Sequence, residues 1–394
     1  MAIRHQLAVY SPIPLAAPLS GVAAALRLTP DPRPALIELL REEYSAAGVL
    51  LAGSGTQALQ VAIEIAVRHI GAAGQVVALP AFSCFDVASA AIGAAVSAAL
   101  YDVDPETLGP DLDSLERVLA AGVRVGVIAP LYGMPVDWET LDALATRYGA
   151  MLIEDSAQGH GAFWRGNPLG SLGDTSTLSF GRGKGWTGGR GGAVLVRRRA
   201  SLDSTRLAEV GTMKEGSTVA GLLAQWTLGR PAVYGIPHSI PALGLGETTF
   251  HPPVSPALMP RAAAAAVLNA MTASREEAAR RRENAAWFLE RIPRNDELRS
   301  VRVVKDSVPG YLRLPLRVSG GVSGMSQPTR ASSLGVAPSY PRTLVELAPQ
   351  LAGPERRWPG AELLARDLVT LPTHSRLSPV ERDEIVRMLQ QKRR

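Results

Sequence analysis

The sequence predicts an α/β chain with a mostly parallel sheet covered by helices and a smaller second domain behind it. Three observations carry that expectation. Between residues 50 and 200 short apolar strand-like runs alternate with stretches of helical period, the signature of βαβ units. The length, 394 residues, is too great for one simple core and suits two domains. Finally, 46% of the residues are hydrophobic and 20% charged, with no low-complexity tract, which supplies a large core and argues against extended disorder.

Taken in chain order, the N-terminal MAIRHQLAVYSPIPLAAP has prolines where a signal peptide needs an unbroken apolar helix. A helix is predicted over 56–70, with Leu59, Ala62, Ile63, Ala66 and Ile70 on one stripe. Strands are predicted at Val76–Leu79, Ala98–Val103, Val125–Ala129, Ala150–Ile153, Thr177–Phe180 and Ala193–Val196, with helices over 111–121 and 137–148 among them. The small-and-apolar run Val87 to Leu100 is too short and too serine-rich to span a bilayer. Beyond residue 255 the alanine- and arginine-rich stretch reads as one or two helices. The single cysteine, Cys84, excludes an internal disulfide and a cysteine-based zinc site and fits a reducing compartment. A soluble cytoplasmic protein without a metal is expected. The net charge is +5, but the basic clusters Arg197–Arg199, Arg280–Arg282 and Lys392–Arg394 are short, scattered and not interleaved with aromatics. They read as solvated helix faces and strand ends and not as a nucleic-acid surface.

In a parallel sheet ligands bind beyond the carboxyl ends of the strands, and three loops there carry unusual chemistry. Gly53-Ser54-Gly55-Thr56 opens the first helix. Its amides and the positive end of the helix dipole suit a phosphate, although Ser54 also fits a plain N-cap. MLIEDSAQGHGA brings Asp155 to the mouth of the sheet with Gln158 three residues later and His160 beyond. An aspartate so placed can hold a positive charge on a ligand such as a protonated pyridine nitrogen, or can bond its own turn. TLSFGRGKGWTGGRGG, residues 177–192, holds Ser179 and Lys184 among seven glycines, in a chain where only four of 41 basic residues are lysine. The residue after Lys184 is glycine, so the phosphate-loop motif fails. A desolvated lysine amine can instead form a Schiff base with an aldehyde, and glycines let a backbone approach a flat group closely.

A phosphate cradle, an acid for a ring nitrogen and an amine for an aldehyde are the polar demands of pyridoxal 5′-phosphate (PLP). Residues 50–200 resemble the DegT/DnrJ/StrS family of PLP-dependent aminotransferases through an ordered series: Ser54-Gly55-Thr56, LPAFSCFDVASA, YDVDPETLGPDLDSL, PLYGMPVD, EDSAQGHGA, GSLGDTSTLSFGRGK and GGRGGAVLV. The resemblance implies the aspartate-aminotransferase-like fold (fold type I), with a large, mainly parallel seven-stranded sheet domain over 1–250 and a small C-terminal α/β domain over 251–394. It makes Lys184 the cofactor-bonding lysine, sets Asp155 on the pyridine nitrogen and Gln158 on the ring hydroxyl, and assigns the phosphate to Ser54, Gly55, Thr56 and Ser179. It further implies transfer of an amino group from glutamate or glutamine to a keto acceptor, foremost a nucleotide-linked keto sugar, by a homodimer. The alternatives are an aminotransferase for a non-sugar carbonyl compound and a PLP-binding homologue without turnover.

The chain departs from the family pattern in four places. Cys84 stands where an aromatic usually stacks on the cofactor, leaving Phe82 or Phe85 for that task. HPPVSPALMPRA lacks a family asparagine, Pro130 replaces a histidine before LYG, and the span from Lys184 to Arg261 is long. Within the 215–250 insertion, Leu222, Leu223, Trp226 and Leu228, followed by Pro231 and Tyr234, read as a lid or dimer contact, with a membrane-facing surface over 215–240 as the alternative. Arg182, Arg190 and Arg342 are the candidate substrate cations, with His160 as a further substrate residue. His374 reads as a surface or core histidine.

Overall fold

The computed structural model describes residues 5–71, 75–197, 201–202, 207, 209, 212–229, 250–293, 295–348 and 357–391. A seven-stranded sheet lies at its centre. Its strands are β1 (Gly48–Ala52), β2 (Val76–Pro80), β3 (Ser97–Tyr101), β4 (Val125–Ile128), β5 (Met151–Asp155), β8 (Thr175–Ser179) and β9 (Gly192–Val196). Their order is β1-β9-β8-β5-β4-β2-β3. The neighbours from β3 through β8 pair in parallel, and only β9 runs against both β1 and β8. Between β5 and β8 two short strands, β6 (Phe163–Trp164) and β7 (Asn167–Pro168), form a hairpin.

The crossovers follow the periodicity in the sequence. Ahead of the sheet lie α1 (Ala16–Ala25) and α2 (Pro32–Glu43), and α3 (Gly55–Ile70) follows β1. Leu59, Ala62, Ile63 and Ala66 of α3 are buried, as the stripe predicts. Next come α4 (Phe85–Gly93), α5 (Leu112–Ala120) and α6 (Trp138–Tyr148). Asp111 and Asp137 cap the last two, each accepting from N–H groups of the first turn. The strand expected at 177–180 starts two residues earlier and ends one earlier, at 175–179. Its polar start, Thr175-Ser176-Thr177, is wholly buried; the Ser176 and Thr177 hydroxyls donate to Glu154 and Asp155, while the Thr175 hydroxyl has no partner among the described residues.

After α7 (Thr212–Leu228), the stretch beyond residue 255 forms a single helix, α8 (Arg261–Arg291). Its N-terminus is capped at a distance: the Glu215 carboxylate accepts from the N–H groups of Arg261 at 2.7 Å and Ala262 at 3.1 Å, an anion at the positive end of a helix dipole. Leu222 of the insertion is fully buried with Ile13, Ala17 and Ala266, while Leu223 and Leu228 stay exposed. Pro231 and Tyr234 lie outside the described residues.

The C-terminal part builds a second, antiparallel sheet in the order β10-β12-β14-β13, from β10 (Leu298–Ser300), β12 (Leu314–Val318), β13 (Ala337–Pro338) and β14 (Leu368–Leu371). The short β11 (Ser307–Val308) instead pairs with β6. Residues 5–11, assigned in the sequence to the large domain, lie against this C-terminal part: Gln6 bonds Ser333, Arg376 and Glu381. Among the described residues no helix is long and apolar enough to cross a membrane, and no group of three or more His, Cys, Asp or Glu is placed to hold a metal ion.

Candidate active site

The carboxyl ends of β5 and β8 and the N-terminus of α3 meet at a cleft lined among others by Gly55, Thr56, Cys84, Asp155, Gln158, Ser179 and Lys184. Seven of the residues expected at the cofactor are thus brought to one place from segments far apart in sequence.

Side-chain alternation along β5 separates its two carboxylates. Glu154 is fully buried, accepting from the backbone N–H of Gly170 (2.7 Å) and Leu172 (2.9 Å) and from the hydroxyls of Ser156 (2.9 Å) and Ser176 (3.0 Å). Asp155 is on the cleft side. One of its oxygens accepts from the Ala157 N–H and the Thr177 hydroxyl, each at 3.2 Å, and the other has no hydrogen bond among the described residues. Burial raises the Asp155 pKa above the usual carboxylate value, and the positive charge of Lys184 opposes that rise. A cation at the free oxygen would therefore be bound by a carboxylate that has little else to neutralise it.

The end of the cleft at α3 is a matter of close approach. A Cβ on Gly55 would lie 2.6 Å from both Cβ and Oγ of Ser179, so only glycine lets the end of β8 sit against the first turn of α3. That turn has N–H groups without intrahelical partners. The Ser54 hydroxyl accepts the one at Gln57, 3.1 Å away, which makes Ser54 an N-cap; Gly55 and Thr56, not Ser54, line the cleft.

Lys184 is presented by a loop packed on α8. Trp186 is buried against Phe180 and donates from its indole nitrogen to the Val267 carbonyl at 2.8 Å. Ser11 donates its hydroxyl to the Lys184 carbonyl at 2.7 Å. The glycines serve this packing: a Cβ on Gly188 would lie 2.6 Å from the Ala263 carbonyl oxygen and from Cγ2 of Val267. The Lys184 ammonium itself has no hydrogen bond or ion pair among the described residues.

Several expected residues take other places. Phe82 and Phe85 are each 1% exposed and do not line the cleft; they pack against Tyr340 instead, with ring centroids 5.7 and 6.0 Å away. Cys84 does line it, with burial pushing its thiol up to about 11. His160 lies under the lysine loop beside Trp186, its centroid 5.5 Å away, and burial holds its pKa down at about 3; it is not a cleft residue. Arg182 is exposed and Arg190 half-buried near Glu215, and neither lines a described cleft. His374 is a core histidine, its Nε2 2.8 Å from the Leu7 carbonyl oxygen.

A second, wider cleft adjoins the first, sharing Gln158 and Lys184 and lined also by Tyr132, Arg313, Ser339, Tyr340 and Arg342. Of these only Gln158, Lys184 and Arg342 are expected from sequence. Gln158 ties the two clefts together, accepting from the Tyr132 N–H at 2.7 Å and donating to the Tyr340 hydroxyl at 2.8 Å. The rings of Tyr132 and Tyr340 stack at 6.5 Å and 16°. Tyr132 and Tyr311 have φ of 57° and 44°, left-handed backbone that side chains this large seldom adopt and that clusters at functional sites.

The chemistry of the donor set fits PLP: N–H groups and a hydroxyl at a helix N-terminus for a phosphate, an under-partnered buried carboxylate for a ring nitrogen, and an unpaired amine between them.

Comparison with known proteins agrees. The model of the DegT/DnrJ/EryC1/StrS aminotransferase family matches residues 36–390. L-glutamine:2-deoxy-scyllo-inosose aminotransferase from Streptoalloteichus tenebrarius is 38% identical over 145 residues, 37% of this chain and 34% of that protein. The 3-amino-5-hydroxybenzoate synthase of Amycolatopsis mediterranei is 34% identical over 161 residues, 39% of this chain and 38% of that protein. The matched stretch thus spans about a third of the length of these curated relatives. The solved sugar aminotransferase CalS13 from Micromonospora echinospora shares the fold with a TM-score of 0.72 at 21% identity, covering 99% of each chain.

Proposed function

This chain belongs to the DegT/DnrJ/EryC1/StrS aminotransferase family, and from that premise we propose that it is a PLP-dependent aminotransferase passing an amino group from glutamine or glutamate to a keto sugar or keto-cyclitol. The observation that carries this reading is the convergence of Lys184, Asp155, Ser179 and Gly55 on one cleft. When bound, PLP supplies an aldehyde for the lysine amine and a ring that takes up the electrons released as the donor loses its α-proton.

The chain's own residues do the rest. Ser179 and the first turn of α3 bind the phosphate. Asp155 holds a proton on the ring nitrogen, its carboxylate placed by Thr177 and Ala157. Gln158 has one amide hydrogen beyond its bond to Tyr340 for the ring hydroxyl. Lys184 Nζ accepts the proton leaving the donor's α-carbon and later returns it, the work of a general base whose amine no ion pair immobilises. Leu59, Val87, Ala129, Pro130 and Leu131 form the apolar remainder of the wall and limit water there. A homodimer in the cytoplasm is part of the same reading, and the exposed Leu15, Leu19, Leu26 and Leu28 around α1 offer an apolar face of the kind a second copy covers.

The test is the absorbance of protein loaded with PLP, with and without L-glutamine or L-glutamate, followed by borohydride capture and peptide mapping. The expected result is a donor-dependent spectral change and an adduct at Lys184 that Lys184→Ala abolishes. An adduct at Lys214, Lys305 or Lys392, or no change with either donor, would overturn the reading.

A further inference from the structure

The wider cleft contains a cation that nothing among the described residues neutralises. Among the described residues five guanidinium groups have buried nitrogens without hydrogen-bond partners: those of Arg261, Arg281, Arg313, Arg317 and Arg382. Four of them are held through their other nitrogens. Arg261 pairs with Asp31 and Arg317 with Glu106; Arg281 donates to the Tyr10 carbonyl and Arg382 to the Asn284 side chain. Arg313 alone of the five has neither a hydrogen bond nor an ion pair among the described residues, although its Nε and one terminal nitrogen are both buried. The polar groups beside it are the hydroxyls of Tyr132 and Tyr340, and burial lowers its pKa without an acid nearby to restore it. An unpaired buried charge is costly, of the order of several kcal/mol, and such a group is tolerable where a ligand completes it.

We propose that Arg313 binds the α-carboxylate of the amino donor. This rests on the aminotransferase reading and names the anion subsite of the same cleft. The geometry favours a carboxylate over a diphosphate. Arg313 is a single enclosed guanidinium, matched in charge and in planar two-pronged shape by one carboxylate. The other arginine in this cleft, Arg342, is exposed. Gln158 and Lys184 belong to both clefts, so a carboxylate on Arg313 leaves the donor's amino end on the side of Lys184. The segment is built to be rigid: the Leu312 N–H donates to the Tyr132 carbonyl at 3.0 Å, and the Thr373 hydroxyl donates to the Tyr311 carbonyl at 2.7 Å.

The test uses PLP-loaded protein and two unreactive probes: glutaramate, which is glutamine without its amino group, and glutaramide, in which the carboxylate is also replaced by an amide. Calorimetric titration should show wild type preferring glutaramate by roughly 10–100-fold, the range for one charge-assisted bidentate contact. Arg313→Gln should lower that preference to near unity, Arg313→Lys should retain part of it, and Arg342→Gln should leave it intact. The KM for L-glutamine should rise in Arg313→Gln while borohydride still captures Lys184. Equal binding of the two probes by wild type, a preference that survives Arg313→Gln, or its loss in Arg342→Gln would overturn the proposal. So would displacement of glutaramate by pyrophosphate that depends on Arg313, which would reassign the cation to a phosphate. Failure of borohydride capture in wild type would instead count against the cofactor reading and is read separately from probe selectivity.

Discussion

Gly188→Ala probes why the lysine loop is so rich in glycine. The added Cβ would lie 2.6 Å from the Ala263 carbonyl oxygen, 2.6 Å from Cγ2 of Val267 and 3.2 Å from the Arg190 carbonyl oxygen, against about 3.5–4.0 Å for unstrained contact. Two of the three neighbours are backbone atoms, and Val267 is fully buried, so the strain falls on the loop, which must lift from α8 by roughly 1 Å. Overpacking of this kind costs about 1–3 kcal/mol. A displacement of about 1 Å near reacting groups can cost on the order of 100-fold in rate, and Lys184 is four residues away. The assay pairs urea unfolding with the rate of the glutamine-driven spectral change in PLP-loaded protein. Gly183→Ala is the control: at 183 φ is 78° but an added Cβ meets nothing within 4 Å, so it should lose about 1–2 kcal/mol from backbone strain and keep far more of its rate. Full stability and rate in Gly188→Ala, or a rate loss in Gly183→Ala as deep as in Gly188→Ala, would refute packing on α8 as the reason for the glycines.

Asp155→Asn should still bind PLP but run the glutamine half-reaction about 100-fold or more slowly, a loss of roughly 3 kcal/mol in transition-state stabilisation; near-normal single-turnover rates would refute its place at the ring nitrogen. Glu154→Gln exchanges an acceptor-only carboxylate, bonded by two backbone N–H groups and two hydroxyls within 3.0 Å, for a group with an NH₂ end facing donors. A stability loss of about 3 kcal/mol is expected in urea unfolding, and an unchanged midpoint would show those bonds to be dispensable. The third prediction is a pH dependence. His160 is held at about 3 by burial, below the roughly 6.5 of an unfolded histidine, so the unfolded chain takes the proton first as pH falls. Its stabilising contribution is complete above about pH 6.5 and is lost towards pH 3, by up to ~1.4 kcal/mol per pH unit for one group. Urea midpoints at pH 7, 6 and 5 should decline less steeply in His160→Gln than in wild type, and equal slopes would contradict the assignment.

Local pattern made much of the fold legible. Helix boundaries at 55–70, 112–120 and 138–148 fall within a residue of the periodic segments, because an apolar stripe and an N-cap are both local signals. Strand β1, Gly48–Ala52, has no separate signal beside the glycine-rich turn that follows it. At the site, Lys184, Asp155, Ser179, Gly55 and Thr56 stand out as unusual chemistry at the ends of predicted strands. Ser54 reads both as a cap and as a phosphate ligand, and its hydroxyl accepts from the Gln57 N–H as a cap does. Tyr132, Tyr340 and Arg313 were missed for a different reason. They come together from segments some 200 residues apart, and no periodicity encodes that meeting. A weak trace did exist: the charge of Arg313 interrupts the apolar run of YLRLPL, where a strand entering a core has no use for an arginine.

The glycines and the buried cation share a structural cause in α8. A helix of 31 residues is a rod of about 46 Å, and this one serves both clefts. Near its start, Ala263 and Val267 bear on Gly188 and Trp186, fixing the loop that presents Lys184. Further along, Arg281 approaches Gly185, so the same loop meets α8 at a second point. Towards its end, the Asn284 side chain donates to the Thr373 carbonyl at 2.7 Å, and the Thr373 hydroxyl donates in turn to the Tyr311 carbonyl, two residues from Arg313. The amine proposed to move the donor's proton and the guanidinium proposed to hold its carboxylate are therefore referenced to one rigid element, although one follows a strand of the large sheet and the other precedes a strand of the C-terminal sheet. Such a frame fixes their separation without any direct contact between two like charges, which would repel.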